Sequence, residues 1–253
     1  MDSIVPAEGG IERPSSSLVR GATLIKDASR LREIATVAVR HGFGEILERL
    51  NLQDNAVVSI IARRAERTSI ISMTMAERSR LMLQELGPTF VKLGQVLSTR
   101  PDVVPTDYIE QLSHLQDNAD QVPIEEIRLS LEESLGCPLE EVFAEFQEKP
   151  VAAASVAQVH RARLFSGEDV ALKILRPGVR KLVDADVSVM YFLARRLEAT
   201  FAEARALNLV AMVHEFERAM KRELDLRNEA RNLKRFGQMF ETRSDVRVPR
   251  VMA

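Results

Sequence analysis

The residues that decide the predicted fold run from Val151 to Lys173 and read VAAASVAQVHRARLFSGEDVALK. Small side chains open this stretch, and Arg161 and Arg163 then alternate with apolar residues in the period of a half-buried strand. The Ser-Gly-Glu-Asp sequence that follows has the composition of a tight turn, and a second apolar strand carries the lysine. The stretch therefore predicts an antiparallel hairpin with Lys173 on its second strand.

The order of these parts is typical of the nucleotide-binding lobe of a kinase. Such a lobe lays a loop over the phosphates and presents a lysine from the next strand to them. Protein kinases have glycines in that loop, whereas alanine carries a Cβ that penalises positive φ. We therefore expect a stiffer loop with an altered nucleotide preference. The alternative is an ordinary hairpin whose lysine is simply solvated.

Three further motifs accompany the alanine-rich loop. They are FVKLGQ (90–95), VALKILRPGV (170–179) and ELDLRNEARNLKRF (223–236). Together with AAASVAQVH they closely resemble the UbiB family of atypical kinase-like proteins, which is linked to ubiquinone (coenzyme Q) biosynthesis. The resemblance extends from about residue 30 to the end of the chain.

The resemblance implies roles for residues in each motif. A Lys-x-Gly-Gln segment in a helical extension would cover the place where a protein kinase binds its peptide, and a Glu-x-Asp segment would face that extension; these regulatory residues are Lys92, Gly94, Gln95, Glu223 and Asp225. Glu229 would pair with Lys173 as the two catalytic residues of the lobe. ATP would contact Lys173 and the loop Val151, Ala152, Ala153, Ala154, Ser155, Val156, Ala157, Gln158 and Val159.

Charge spacing gives an independent view of the last motif. If Asp225 and Glu229 lie on one helix, their carboxylates share a face, which is unfavourable by roughly a few tenths of a kcal/mol without a cation nearby. A solvated network is the alternative to a site, because four cations are close in sequence, namely Lys221, Arg222, Arg227 and Arg231.

Gly87-Pro88 predicts a break between two helices, the first ending at about Glu85 and the second carrying Lys92 and Gln95. Phe90, Leu93 and Leu97 follow helical spacing on the second helix. The alternative is a helical hairpin whose polar residues face water.

Composition excludes several classes of function. The 253 residues have a net charge of −2, so a nucleic-acid partner is not expected. One cysteine excludes an intrachain disulfide, and four scattered histidines show no zinc-type spacing, so we predict no metal site in this chain. No apolar run is long enough to cross a membrane.

We predict an α+β chain in three parts: a disordered lead (1–22), a mostly helical extension with the Lys-x-Gly-Gln motif (23–146), and a kinase-like N-lobe (147–253) with a small antiparallel sheet and inserted long helices. Residues 178–241 are predicted to form two long helices, and VRVPRVM a final strand. No catalytic-loop or Asp-Phe-Gly aspartate is present, so we expect an N-terminal fragment that is inactive alone, with the C-lobe and its magnesium ligands following.

We expect the full-length protein to be an atypical kinase or ATPase with ATP and magnesium as cofactors, at the cytoplasmic face of a bacterial inner membrane. The fragment itself would be soluble or peripheral. Expected partners are ATP or ADP, ubiquinone-biosynthesis proteins, membrane lipid and a second copy of the chain. The main alternative is a non-catalytic pseudokinase-like scaffold that binds lipid or partner proteins, and a generic small-molecule kinase ranks third.

Overall fold

The computed structural model describes residues 16–50, 73–115 and 121–252, with side chains from residue 28 onwards. The extension contains α1 (Ser16–Arg40), α2 (Gly44–Arg49), α3 (Met75–Leu86), α4 (Pro88–Leu97), α5 (Thr106–Ser113), α6 (Ile124–Leu135) and α7 (Leu139–Val142). The strands are β1 (Phe143–Phe146), β2 (Ala152–Ala153), β3 (Ala157–Leu164) and β4 (Asp169–Leu175). The remaining helices are α8 (Val179–Thr200), α9 (Ala202–Leu207), α10 (Leu209–Glu223) and α11 (Leu226–Met239). The α+β fold class is confirmed.

The predicted hairpin is formed by β3 and β4. Strand β3 also pairs antiparallel with β1 and β2, so it is the centre of a four-stranded sheet. Val159 lies opposite Lys173, and successive side chains alternate between the two faces. Ala162 therefore lies on the other face, where it is buried against Leu139 and Phe143. One face of the sheet covers a core, and the other carries Lys173.

The break at Gly87-Pro88 is confirmed. Helix α3 ends at Leu86, Gly87 has φ +97°, and Pro88 is the first residue of α4. Proline suits a first helical position because the amide it lacks would have no intrahelical partner there. At the other end of α3, Thr74 and Glu77 form a reciprocal capping box.

The extension packs on the helical insertion of the lobe through one large core. Buried Ile34 and Phe90 from the extension meet Val187, Phe216 and Met220 from the insertion. These apolar positions recur at helical spacing, which is why α1, α4, α8 and α10 can share a common interior.

Two predictions for the second half of the chain are wrong. Residues 178–241 form four helices, because the chain breaks at three places: Phe201 is extended, Asn208 adopts a left-handed conformation with φ +52°, and Asp225 is the N-cap of a new helix. The segment 246–252 forms no strand within the described chain. Pro249 lacks a backbone donor there, which weakens any strand ladder.

The predicted boundaries after residues 22 and 146 fall within α1 and at the end of β1. Strand β1 precedes residue 147 and pairs with β3. The lead lies outside the described residues up to position 15, and α1 begins at Ser16.

Candidate functional site

The two predicted catalytic residues form an ion pair. Nζ of Lys173 lies 2.6 Å from Oε2 of Glu229, across 56 residues of sequence. Helices α8, α9 and α10 make up the intervening insertion, and they return the chain so that α11 passes in front of the sheet. Both side chains remain partly exposed, so solvent and a ligand can reach the pair.

The alanine-rich loop is a tight turn between β2 and β3. The Ala154 amide donates to the Ala157 carbonyl at 2.8 Å, and the Val151 amide donates to the Val159 carbonyl at 2.7 Å. Arg176 fixes the turn from the end of β4, because its Nε donates to the Ala154 carbonyl at 3.0 Å. These hydrogen bonds therefore fix the position of the turn relative to the sheet.

The loop residues predicted to contact ATP do not all point the same way. Ala152 and Val159 are register partners and share the face of Lys173. Ala153 and Gln158 are partners on the opposite face, where Gln158 is fully buried. The side chain of Gln158 therefore points away from Lys173.

The Lys-x-Gly-Gln and Glu-x-Asp motifs meet at one contact. Nζ of Lys92 on α4 lies 3.5 Å from Oε1 of Glu223, the last residue of α10. Gln95 does not take part in this contact, and its Nε2 donates to the Leu115 carbonyl at 3.2 Å. A Cβ added at Gly94 would lie 3.0 Å from Cδ1 of Leu83 and closer still to Leu115. Gly94 is thus a close-packing position.

The prediction that Asp225 and Glu229 share a helical face is wrong. Helix α10 ends at Glu223, and Asp225 is the N-cap of α11, where it accepts a hydrogen bond from the Arg227 amide. A carboxylate is favoured at an N-cap because it pairs an otherwise unsatisfied donor. The side-chain hydrogen bond from Arg227 also lowers the pKa of Asp225.

An open cleft of about 620 Å³ joins these motifs. Lys173 and Glu229 line it on the sheet side, and Glu223, Asp225 and Asn228 line it at the α10–α11 junction. The described residues contain no cluster of three or more His, Cys, Asp or Glu side chains arranged to hold a metal ion. The cleft can present an ammonium group to an anion, flanked by carboxylates.

A buried ion pair between the extension and α8 was not predicted from the sequence. Arg30 on α1 donates from Nε to Oδ1 of Asp186 on α8 at 2.5 Å, and from Nη2 to the Leu86 carbonyl at 2.7 Å. Burial raises the pKa of Asp186, opposed by the hydrogen bond and charge of Arg30. The sequence did contain a signal for this pair, because Asp186 lies among the apolar residues Val183 and Val187 of α8, and a buried carboxylate requires a partner.

Within residues 16–50, 73–115 and 121–252, every helix is either too short or too polar to span a lipid bilayer.

Comparisons with known proteins agree with the motifs. The model of the ABC1 atypical kinase-like domain matches residues 114–253. Proteins named "Probable protein kinase UbiB" are 44% identical over 177 residues in Marinobacter nauticus, covering 70% of this chain and 32% of the relative, and 39% identical over 230 residues in Vibrio cholerae, covering 89% and 42%. The solved complex of Rv3197 with erythromycin from Mycobacterium tuberculosis covers 79% of this chain and 48% of that chain, at 27% identity and a TM-score of 0.43.

The chain spans about a third to two fifths of the length of these curated relatives. Its family match covers more than half of its own residues and includes the sheet, Lys173 and Glu229. The chain therefore belongs to the ABC1 family of atypical kinase-like domains, and within it to the UbiB proteins.

Proposed function

We propose that the full-length protein is an atypical kinase-like ATPase that supports ubiquinone biosynthesis, and that this chain supplies its phosphate-binding lobe. The observation that carries the proposal is the 2.6 Å ion pair between Lys173 and Glu229. A carboxylate at this distance holds the flexible lysine in one orientation, from which its ammonium can contact the α- and β-phosphates of ATP. The role in ubiquinone biosynthesis comes from the names of the relatives.

The alanine-rich turn fits the same ligand. The amides of Ser155 and Val156 donate no hydrogen bond to any residue in the described ranges, so the turn retains donors of the kind that cradle phosphates. In this proposal the backbone of the turn and Lys173 hold the phosphates, and the side chain of Gln158 has no direct contact. Magnesium would neutralise charge on the phosphates, and its ligands would come from beyond this chain.

The position of the extension favours ATP hydrolysis, or phosphate transfer to a small acceptor, over phosphorylation of a protein. The Lys92–Glu223 contact joins α4 to the rim of the cleft, and in this proposal the extension lies where a peptide substrate would otherwise bind. We further propose that the whole protein works at the cytoplasmic face of a bacterial inner membrane. Ubiquinone-biosynthesis proteins, membrane lipid and a second copy of the chain are its proposed partners.

A scaffold without catalysis is the second candidate function. It is favoured by the absence of glycine between residues 151 and 159, because alanine cannot adopt positive φ as readily as glycine. Under that alternative the lobe would bind a lipid or a partner protein and leave nucleotide unbound.

The test is nucleotide binding by the full-length protein. We expect ATP and ADP to bind with and without magnesium and the Lys173→Ala variant to lose most of this binding. Arg161→Ala is the matched control, because Arg161 lies on the same face of the sheet but pairs with Asp169 at the exposed end of the hairpin. Nucleotide binding that survives Lys173→Ala would refute the assigned site, and no binding to the wild type would favour the scaffold.

A further inference from the structure

A chain of partly to fully buried hydrogen bonds lies next to the alanine-rich turn, on the face of the sheet opposite Lys173. The Val122 amide donates to Oε1 of Gln158, Nε2 of Gln158 lies 3.3 Å from Nε2 of His160, and Nδ1 of His160 lies 3.0 Å from the Gln147 carbonyl. Gln158 and His160 are 0% and 1% exposed. Phe146 stacks on the imidazole with ring centroids 5.3 Å apart. We call these four hydrogen-bonded residues the buried relay, after its two fully buried side chains, Gln158 and His160.

The direction of every hydrogen bond in the buried relay is fixed by its ends. The Gln147 carbonyl can only accept, so Nδ1 of His160 carries the proton. The Val122 amide can only donate, so the amide oxygen of Gln158 faces it and the amide NH₂ faces Nε2 of His160. Nε2 then accepts, which requires the neutral imidazole with its proton on Nδ1. The relay is fully satisfied in one arrangement only.

The buried relay joins three segments that are distant in sequence. Val122 directly precedes Pro123, the N-cap of α6 in the extension, and Gln147 directly follows β1. Gln158 is the second residue of β3 and pairs in register with Ala153 at the other side of the turn. The position of the turn is thus fixed by Arg176 from the end of β4 and by the relay on the face of the sheet opposite Lys173.

We infer that Gln158 and His160 are positioning residues that hold the alanine-rich turn at its height above Lys173 and so set the affinity for nucleotide phosphates. This inference rests on the proposed nucleotide-binding function. Neither side chain touches the ligand, because both lie on the face of the sheet opposite Lys173. Loss of Gln158 would leave the half-buried Val122 amide and Nε2 of the buried imidazole without this partner, and a shift of the turn would relieve that cost.

The test compares variants of the full-length protein by ADP affinity and by amide exchange in the turn. We expect Gln158→Leu and His160→Phe each to weaken ADP binding roughly tenfold, in keeping with remote positions that couple to a site. The double variant should bind ADP no more weakly than the single variant with the lower affinity. Each single substitution already breaks the relay, so the second adds no further loss. His160→Gln should bind ADP more tightly than His160→Phe, because the amide oxygen of the new glutamine can accept the hydrogen bond that Nε2 of His160 accepts from Gln158.

Ala162→Gly is the matched control. Ala162 is on the same strand and the same face and is 2% exposed, but it lies outside the relay. Ala162→Gly should lower the melting temperature and leave unchanged both the ADP affinity and the exchange of the Ala154 amide, which donates to the Ala157 carbonyl. Gln158→Leu should accelerate that exchange about tenfold. Unchanged affinity and exchange in Gln158→Leu would overturn the inference while leaving the proposed function intact. Faster exchange in Gln158→Leu together with a wild type that binds no nucleotide would overturn the proposed function and with it the link from relay to affinity.

Discussion

The buried pair of Arg30 and Asp186 gives the sharpest prediction about stability. Their side chains are 10% and 0% exposed, and their 2.5 Å contact joins the extension to the lobe. Removing one member leaves the other as an uncompensated buried charge, which costs about 3–5 kcal/mol of unfolding free energy. Arg30 keeps the Leu86 carbonyl and Glu33 as partners, so Asp186→Leu should fall near the lower end of that range.

Arg30→Met should cost more than Asp186→Leu, up to about 5 kcal/mol, because the Asp186 carboxylate would remain in a dry interior. Protonation limits this cost, since burial already raises the pKa of Asp186. The double variant replaces both charges with apolar groups and should lie within about 1 kcal/mol of the wild type. The cycle therefore predicts a coupling of several kcal/mol between the two sites.

Urea unfolding followed by circular dichroism measures the four members of this cycle. A single variant should also lower the melting temperature by about 10 °C, at roughly 2–4 °C per kcal/mol for a chain of this size. The exposed pair Arg100 and Asp102, with a 2.7 Å contact, is the matched control, and its removal should leave the urea midpoint almost unchanged because solvent screens the pair. A loss below about 1 kcal/mol in both single variants, or additive losses in the double variant, would refute this reasoning.

Three further predictions rest on single contacts. The pKa of Tyr191 is raised to about 12 by burial and by a hydrogen bond to a carboxylate; because the folded state holds this proton more tightly, stability should fall as the pH rises from about 10 through about 12. In a Tyr108→Phe background, absorbance at 295 nm should show Tyr191 ionising well above pH 10 in the folded protein and at about pH 10 in urea. Ionisation near pH 10 in the folded protein would contradict the prediction. Gly94→Ala should destabilise by about 1–3 kcal/mol through overpacking, and Leu115→Ala should suppress part of that loss in the double variant; additive losses in urea unfolding would argue against the contact. Thr74→Ala should cost about 1 kcal/mol in the same assay through loss of the N-cap, whereas Thr74→Ser should keep most of the stability.

The hairpin could be predicted from the sequence because its signals are local. Period-two alternation and a Ser-Gly turn determine which residues of β3 and β4 face the core. The same holds for the helix break at Gly87-Pro88, where the two residues disrupt a helix by themselves. The contact between Lys173 and Glu229 was reached through motif order, since their separation of 56 residues gives no local signal.

The break at Leu224 could not be read from the residues. Leucine, arginine and glutamate continue a helical pattern across it, and the N-cap role of Asp225 depends on a change of chain direction that the core imposes through buried Leu224. The partners of Arg30 and Gln158 were hidden for a different reason. Each contact joins segments far apart in sequence, and the residues around a charged or amide side chain do not predict which distant residue it will contact.

The break at Leu224 makes α11 a lever. Its 14 residues span about 21 Å, and no residue of this helix is buried among the described parts of the chain. Leu224 is 4% exposed and sits at the fixed end, next to Glu223, so a tilt of about 10° would carry the far end of α11 through roughly 4 Å and leave the contact with Lys92 in place. Glu229 lies one turn along this lever. At that position the same tilt would move Glu229 by about 1 Å, so the distance of the Lys173–Glu229 pair depends on the tilt of α11, whereas the Lys92–Glu223 contact at the fixed end does not.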